Sequence, residues 1–346
     1  MIKKSYIFSR AGDMQLFFDR KGRIMIIVLV CFLSFLLCYV SVPLISALAW
    51  RIGAVDVPCD WRRMHHKSIP RAGGISIFLA FWVSCMVLGM ASRFLTCALG
   101  GGALLLLVGL ADDIFCLDAW VKFFFQVAAT TAAVLGSGIA EGKVAVLAIL
   151  WVVMLTNAHN FVDGLDGLFA GVSAVEGIAL CLTLLVLGLT DLALPPLLLA
   201  LACLAFRSFN RYPAEIFAGD CGSGTVGFLL GFLSLPLFGA VEMGLGELSP
   251  LLLFGYPLTD LLGAVIRRLL RGKSPFGADR AHLHHRICDA GLTHPQCGGV
   301  LILISAGLGI LGILLSAERF SVAACLACVA MVFLLMRIRR FIVDCS

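Results

Sequence analysis

The sequence predicts an all-α fold, that of a polytopic integral membrane protein with about 10 to 11 transmembrane helices. Two observations support this prediction: 61% of the 346 residues are hydrophobic and only 14% are charged, against about 25% in a typical soluble domain. A soluble fold needs far more polar surface, and disordered chains are poor in apolar residues and rich in charge. Collagen and outer-membrane barrels are excluded because their periodic or alternating patterns are missing.

Eleven apolar stretches are candidate helices within one integral domain over residues 24–340, between an N-terminal tail at 1–23 and a C-terminal tail at 341–346. A helix needs about 20 apolar residues to cross a bilayer, and the fifth and seventh stretches are short for that. The first stretch is too long for a signal peptide and lacks a cleavage-site pattern. The stretches lie at 24–50, 72–91, 94–111, 121–139, 144–156, 167–189, 192–206, 222–240, 248–266, 299–316 and 320–336.

The charged residues predict which loops are cytoplasmic. The loops that follow odd-numbered helices, together with the C-terminal tail, hold 17 of the 26 lysines and arginines, whereas the loops that follow even-numbered helices hold three. All seven histidines and 12 of the 21 acids are on the odd side as well. By the positive-inside rule the odd loops face the cytoplasm, so we expect the polar chemistry on the cytoplasmic face of the membrane.

The N-terminal tail conflicts with this topology. It holds the other six basic residues, yet an odd number of helices places it on the opposite side from the odd loops. Translocation despite its charge, one miscounted helix and a true start at Met25 would each resolve the conflict, and all three stay open.

The first odd loop is basic and ends in a glycine pair at a helix start. Cationic side chains and free backbone N–H groups suit a phosphate group. An ordinary basic loop that fixes topology explains the same composition equally well. The candidate phosphate ligands here are Arg62, Arg63, His65 and Arg71.

The second odd loop begins with two adjacent carboxylates, Asp112 and Asp113, at the end of an apolar helix, and Lys122 follows. Acids are expected at helix N-termini, so a pair at a C-terminal end lies against the helix dipole. Such a pair needs a positive partner, and Mg²⁺ or a metal bound to pyrophosphate is a natural one. A merely solvated helix end is the weaker interpretation.

The third odd loop alternates amide and carboxylate side chains with apolar residues and glycine. If it is helical, Asn160, Asp163 and Gly167 share one face. Such a polar face between two apolar stretches is expected to line a site, where it would bind a sugar or ribose or would ligate Mg²⁺. The spacing and terminal Glu of an EF-hand are missing. The candidates are Asn157, Asn160, Asp163 and Asp166.

The fourth odd loop contains Asn210 and ends in Gly-Asp-x-Gly-Ser, which places Asp220 immediately before a helix. A ligand can approach the backbone of such a small-residue turn, and the helix N-terminus can hold a phosphate. The turn is not a Walker loop, because no Gly-Lys-Ser/Thr follows.

The fifth odd loop combines three histidines with arginines and a lysine. The basic residues would repel zinc, so a pocket for phosphate anions is the favoured interpretation. Asp260 lies inside the preceding helix and is a functional candidate as an intramembrane acid, although pairing with an arginine near the helix end would explain it too. The candidates in the loop are Arg280, His282, His284 and His285.

Acids suited to Mg²⁺, bases suited to phosphate and an apolar body predict phosphoryl transfer at the membrane interface, carried out by cytoplasmic catalytic loops. We expect a nucleotide-linked group from the cytosol and a lipid phosphate from the bilayer as substrates, and no nucleic acid partner.

The five motifs, in order over about residues 51 to 296, resemble those of the bacterial polyprenyl-phosphate N-acetylhexosamine-1-phosphate transferases. The resemblance implies transfer of a sugar 1-phosphate from a UDP-N-acetylhexosamine to undecaprenyl phosphate, with release of UMP, in the bacterial inner membrane. The stretch from Ser274 to His285, and Asp260 followed by the arginine pair at 267–268, look like the UDP-GlcNAc branch. That branch implies the first step of an O-antigen or related surface glycan, and a homodimer is left open.

The resemblance also implies roles for individual residues. Asp220 would be the principal ligand of Mg²⁺, with Mn²⁺ as an alternative metal. Asp112 and Asp113 would activate the lipid phosphate or bind metal, and the three histidines would face the pyrophosphate and sugar. The remaining matches to the family's site-lining positions are Asn160, Asp163, Asp166 and Asn210.

Two departures and several alternatives remain. Many relatives have a third acid where this chain has Cys116, so Asp118 is a candidate substitute, and the first loop has one extra residue before its arginine pair.

GalNAc, a 6-deoxy sugar or MurNAc-pentapeptide could replace GlcNAc in the donor. A transporter or flippase predicts charges deep in several helices, where only Glu176 and Asp260 qualify. A catalytically dead scaffold predicts lost motif acids, yet apart from Cys116 they are present.

Overall fold

The computed structural model describes residues 20–58, 67–240, 248–272, 283–289 and 291–317. The all-α prediction is confirmed, since these residues form thirteen helices and one two-stranded sheet. The helices are α1 (Arg20–Ile52), α2 (Gly73–Val87), α3 (Arg93–Phe115), α4 (Ala119–Ser137), α5 (Gly142–Val162), α6 (Leu168–Val186), α7 (Thr190–Asn210), α8 (Asp220–Leu233), α9 (Leu237–Ala240), α10 (Ser249–Leu253), α11 (Gly255–Leu270), α12 (Leu283–Asp289) and α13 (His294–Ser316), and the strands are β1 (Val55–Asp56) and β2 (Ile69–Pro70).

Eight helical segments in the described part of the chain are long and apolar enough to cross a membrane, namely Ile24–Ile52, α3 to α7, Asp220–Ala240 and α13. The fifth and seventh predicted stretches extend to 21 residues each, which is enough for a span. The second stretch forms only the 15-residue α2, and the ninth is broken at Phe254 into α10 and α11. The eleventh stretch and residues 1–19 lie outside the described residues.

Helix α8 lies at the centre of the bundle. It packs against α2, α3, α5, α6 and α7, and nearly all of its side chains are buried. The outer helices instead expose large apolar side chains, among them Phe32, Leu107, Phe124 and Leu147. Such surfaces suit the hydrocarbon of a bilayer, so the burial pattern agrees with a multi-pass membrane protein.

The start of α8 is held between α2 and α3 by close backbone contacts. A Cβ added to Gly109 of α3 would lie 2.5 Å from Cα of Cys221, and one added to Gly74 of α2 would clash with Gly222. Only glycine allows backbones to approach this closely, so these residues determine where the first turn of α8 lies.

Backbone hydrogen bonds join the first and fourth odd loops beside that turn. Strands β1 and β2 pair antiparallel, with Val55 opposite Pro70. The N–H of Phe217 donates to the carbonyl of Pro70 at 2.9 Å, and the N–H of Gly73 donates to the carbonyl of Phe217 at 3.0 Å. The intervening Arg71 is therefore brought next to the start of α8.

Candidate active site

Residues from four of the five predicted loops meet at one end of the bundle. Arg71 precedes α2, Asp112 and Asp113 end α3, Asn160 lies in the last turn of α5 and Asp220 begins α8. Lys122, in the first turn of α4, completes the group. Arg71 and Asp220, 149 residues apart along the chain, come within 3.9 Å of each other here, as predicted for a site built from several loops.

Asp113 fixes the first turn of α8. Its two carboxylate oxygens accept hydrogen bonds from the backbone N–H groups of Asp220, at 3.0 Å, and Cys221, at 3.1 Å. Nη2 of Arg71 lies 3.1 Å from Oδ1 of the same carboxylate, whose side chain is fully buried. A carboxylate at a helix N-terminus is stabilised by the free N–H groups and the dipole. Asp113 thus caps α8 and links it to Arg71.

Lys122 connects two of the other acids. Its Nζ lies 2.8 Å from Oδ2 of Asp112 and 2.7 Å from Oδ2 of Asp220. The adjacent acids of the second loop therefore each have a cationic partner, Lys122 for Asp112 and Arg71 for Asp113. This is the positive partner that the acid pair at the end of an apolar helix requires.

Asp220 is the acid that the other polar groups surround. The side-chain amide of Asn160 donates to Oδ1 of Asp220 at 3.1 Å and to the hydroxyl oxygen of Ser223 at 3.3 Å. Arg71 is 3.9 Å from the same Oδ1. The Asp220 side chain is 19% exposed, whereas that of Asp113 is fully buried. Asp220 is therefore the more accessible of these two acids to a ligand.

Asp163 lies just outside α5, which ends at Val162. A shared helical face for Asn160, Asp163 and Gly167 is therefore not formed, because Gly167 takes a left-handed conformation (φ 73°) and the chain turns there. The half-buried position of Asp163 raises the pKa of its carboxyl well above the usual value, and repulsion from Asp220 raises it further.

The pKa of Arg71 reflects the charged groups around it at this end of the bundle. Burial lowers the pKa of Arg71, but attraction to four carboxylates, those of Asp112, Asp113, Asp163 and Asp220, more than offsets burial and raises it. Two cations, Arg71 and Lys122, face these four acids. The acid groups outnumber the cations, and a bound cation would favour the ionised form of an acid such as Asp163, whose pKa is raised.

Asp166 and Asn210 join the third loop to the fourth. Asp166 accepts a hydrogen bond from the N–H of Ala214 at 3.0 Å. The amide oxygen of Asn210 accepts from the N–H of Gly167 at 3.1 Å, and its amide nitrogen donates to the carbonyl of Ile216 at 2.9 Å. The oxygen and the nitrogen of the buried Asn210 amide each have a backbone partner, so this residue holds the two loops together. Direct substrate binding by Asn210 stays a prediction.

A cavity of about 500 Å³ opens from the charged cluster towards the apolar body. Its polar end is formed by Lys122, Asn157, Asn160 and Asp220. The amide of Asn157 donates to Oε1 of Gln126, which also lines the cavity, at 2.9 Å. The remaining lining is mostly apolar and comes from α3, α4, α5 and α11, including Leu105, Phe123, Leu150, Met154, Leu261 and Val265. This shape suits a ligand that is charged at one end and apolar at the other.

The fifth loop is only partly described. Asp260 is buried in α11, and its Oδ1 accepts a hydrogen bond from the N–H of Leu283 at 2.8 Å, so it holds the first residue of α12. His284 and His285 belong to α12, but their side chains are outside the described set. Also outside the described residues are Arg62, Arg63, His65, Arg280 and His282.

Three residues that were not among the candidates from the sequence make side-chain hydrogen bonds at or near the site. Ser223 and Gln126 hydrogen-bond to the two asparagines of the third loop. His159, beside Asn160, contacts Glu176 of α6. A charged residue inside an apolar stretch is the signal that pointed to Glu176, but nothing in the chain indicated its partner.

Comparison with known proteins gives concordant matches. The profile of glycosyl transferase family 4 matches residues 95–237. The chain is 32% identical to the probable undecaprenyl-phosphate N-acetylglucosaminyl 1-phosphate transferase of Bacillus subtilis (strain 168), over 90% of this chain and 91% of the relative. It is 32% identical to the decaprenyl-phosphate N-acetylglucosaminephosphotransferase of Mycobacterium tuberculosis (strain ATCC 25618 / H37Rv), over 80% and 78%. It is 31% identical to the undecaprenyl-phosphate alpha-N-acetylglucosaminyl 1-phosphate transferase of Yersinia pestis, over 77% and 78%.

Proposed function

The chain belongs to glycosyl transferase family 4, and from that premise we propose that it transfers N-acetylglucosamine 1-phosphate from UDP-GlcNAc to undecaprenyl phosphate and releases UMP. It is a phospho-N-acetylhexosamine transferase, as its relatives' names indicate. The observation that carries the choice of substrates is the cavity, whose charged end continues into an apolar lining.

The two ends of the cavity suit the two parts of a lipid phosphate. An isoprenoid chain is favourably placed on apolar surface removed from water, which the lining from α3, α4, α5 and α11 provides. The phosphate of the lipid would then lie near Lys122, whose ammonium group is at the polar end. Arg71 adds a second cation on the far side of Asp220.

The residues present fit a divalent cation, which we propose to be Mg²⁺, with Mn²⁺ as an alternative. Among the described residues no group of three or more His, Cys, Asp or Glu side chains is arranged to hold a metal ion by itself. Mg²⁺ at phosphate sites usually takes only one or two carboxylates and completes its shell with waters and substrate phosphates. Asp220 would be the main ligand, with Asn160 and Asp163 beside it, and the excess of carboxylates favours a cation there.

The proposed reaction is a single displacement. A phosphate oxygen of the acceptor attacks the β-phosphorus of the donor, the bond from that phosphorus to the bridging oxygen breaks, and UMP leaves with the bond electrons. A bound Mg²⁺ would polarise the pyrophosphate and stabilise the charge on the leaving UMP. The second pKa of a phosphate monoester is about 6, so the acceptor is already largely dianionic at pH 7 and needs little help from a base.

The contacts of the paired acids support this route over a covalent intermediate. Both oxygens of Asp113 accept backbone N–H groups, and Arg71 lies against one of them. Attack by Asp113 on phosphorus would uncap α8, and attack by Asp112 would break its ion pair with Lys122. If incubation with UDP-GlcNAc alone labelled either acid with phospho-sugar, the covalent route would replace the single displacement.

We further propose that the site faces the cytoplasm from a bacterial inner membrane and that the product starts an O-antigen or related surface glycan. Support comes from the basic odd loops and from the resemblance of the fifth loop to the UDP-GlcNAc branch.

The test is UMP release by detergent-purified protein given undecaprenyl phosphate, Mg²⁺ and a panel of UDP-sugars. Turnover is expected with UDP-GlcNAc and to depend on the acceptor lipid. A higher rate with UDP-GalNAc, a 6-deoxy donor or UDP-MurNAc-pentapeptide would reassign the sugar. Absence of UMP with every donor would refute the transferase function and leave the transporter as the alternative.

A further inference from the structure

A histidine and a glutamate form a fully buried contact inside the bundle, next to the proposed site but outside its cavity. Nε2 of His159, on α5, lies 2.7 Å from Oε2 of Glu176, on α6. Both side chains have zero exposure. The catalytic scheme above uses neither residue. Burying such groups is costly unless they are paired and hydrogen-bonded, so the contact calls for an explanation.

The hydrogen bonding of the ring determines how the pair is held together. Nδ1 of His159 lies 2.9 Å from the carbonyl oxygen of Leu155. A carbonyl oxygen can only accept, so Nδ1 carries a proton and donates it. Nε2 and Oε2 then share one proton, whichever of the two atoms it is bonded to. The pair is therefore a strong hydrogen bond that locks the orientation of the ring.

The locked ring belongs to the last turn of α5, which also carries Asn160. On the neighbouring helix α8, a Cβ at Gly227 would lie 2.8 Å from the carbonyl oxygen of Leu155 and 2.9 Å from Cβ of His159. The last turn of α5 is thus packed between Glu176 on one side and the backbone of α8 on the other. Terminal turns of helices lack part of their backbone hydrogen bonding and fray. Contacts on both sides of this turn therefore restrict its motion at the site.

We propose that the His159–Glu176 pair is a positioning element that holds Asn160 against Asp220 and Ser223. Consecutive residues of a helix point about 100° apart, so fixing His159 towards α6 fixes the direction of Asn160 towards the start of α8. The amide of Asn160 then holds the carboxylate of Asp220, 3.1 Å away, in one orientation. The inference rests on the proposed function, because Asp220 is there the main metal ligand.

The test compares two substitutions of nearly equal size at one position. Glu176→Gln keeps a donor for Nε2 of His159, whereas Glu176→Met removes the hydrogen bond, and His159→Phe removes it from the other side. We expect Mn²⁺ affinity, measured by EPR with Mn²⁺ alone, to fall about 10-fold in Glu176→Met and His159→Phe, as for other groups that orient metal ligands. We expect kcat to fall similarly, KM for UDP-GlcNAc to stay near the wild-type value, and Glu176→Gln to restore both kcat and Mn²⁺ affinity.

The matched control is Trp151→Phe, which removes another buried hydrogen bond of α5, to Ser234 immediately after α8, about 12 Å along α5 from His159. It should lower thermal stability without changing Mn²⁺ affinity. Wild-type Mn²⁺ affinity and kcat in both Glu176→Met and His159→Phe would overturn the positioning role, and so would equal losses in Trp151→Phe. If the wild-type protein releases no UMP, the proposed function fails separately, and the Mn²⁺ titrations decide the role of the pair.

Discussion

Helices α5 and α8 meet through two polar contacts of different character. At the site contact, Asn160 reaches Asp220 and Ser223 among four acids and two cations. At the distal contact, about 14 Å along α5, the indole N–H of Trp151 donates to the hydroxyl of Ser234 at 2.9 Å, and that hydroxyl donates to the carbonyl of Gly231 at 2.7 Å.

The difference shows what the charges are for. The distal contact is neutral, buried and fully paired, and it joins the same two helices without any ionised group. A neutral hydrogen bond can therefore join α5 to the end of α8 inside an apolar body. Asp113 and Arg71 use their charges to hold the start of α8. Lys122 and Asp220 also line the cavity, which agrees with a role in binding a charged ligand.

The largest expected effect is that of Asp220→Ala at the site contact. Removing the proposed metal ligand should cost several kcal/mol of transition-state stabilisation, or about 10³-fold in kcat/KM. UMP release measures the loss, and the melting temperature checks folding. Activity equal to wild type in a folded variant would refute the assignment of Asp220 as the metal ligand. The functional difference between the site contact and the distal contact would then lose its support.

The next effect is that of Lys122→Met, which leaves Asp112 and Asp220 without their shared cation. We expect UMP release to fall about 10²-fold, the order found when one preorganised electrostatic group is removed. The control is Lys143→Met, the same change at an exposed lysine near the other end of α5. Similar losses in both variants would mean that charge at the site contact has no special role.

A smaller effect is expected from pH. Burial and repulsion from Asp220 raise the pKa of Asp163, so its carboxyl ionises at a higher pH than an ordinary carboxyl. Ionisation adds negative charge beside Asp220, so Mn²⁺ affinity should increase as pH rises, by up to about 10-fold per pH unit if one proton is released. Asp163→Asn should flatten the profile. Equal slopes in the two proteins would show that another group controls metal binding.

The smallest effect on activity belongs to the distal contact. Trp151→Phe removes one neutral hydrogen bond, which contributes about 1 kcal/mol to stability. The melting temperature should fall, while kcat and KM for UDP-GlcNAc stay within about 2-fold. A large kinetic loss at unchanged stability would show that the distal contact also shapes the site, and the contrast between the two contacts would disappear.

Much of the site could be predicted from the chain because its residues stand in short motifs with unusual polarity. Asp112, Asp113, Lys122, Asn160 and Asp220 were all candidates, and the structure brings them together. Their individual contacts were not predictable. Two adjacent acids with the same local setting divide into Asp113, which caps α8, and Asp112, which pairs with Lys122, because this depends on where α8 begins relative to α3.

The contacts of two other candidate residues, Asn210 and Asp260, were not predictable from the sequence either. Asn210 looks like a site residue by position, yet its amide hydrogen-bonds to the backbone at Gly167 and Ile216. Asp260 was expected to bind substrate or pair with an arginine, and its contact with the N–H of Leu283 was not expected. These partners lie between six and 43 residues away along the chain, and only folded loops bring them within reach.

The sequence by itself determined that this protein is an all-α membrane protein, that its polar chemistry gathers in a few loops and which family it resembles. Composition, hydropathy and motif spacing are local properties, and a bilayer enforces them strongly because unpaired polar groups are costly there. The tertiary structure alone decided which acid caps a helix, which cation bridges two carboxylates and which histidine meets Glu176. Those outcomes depend on close packing at Gly74, Gly109 and Gly227, where distances between different helices are set.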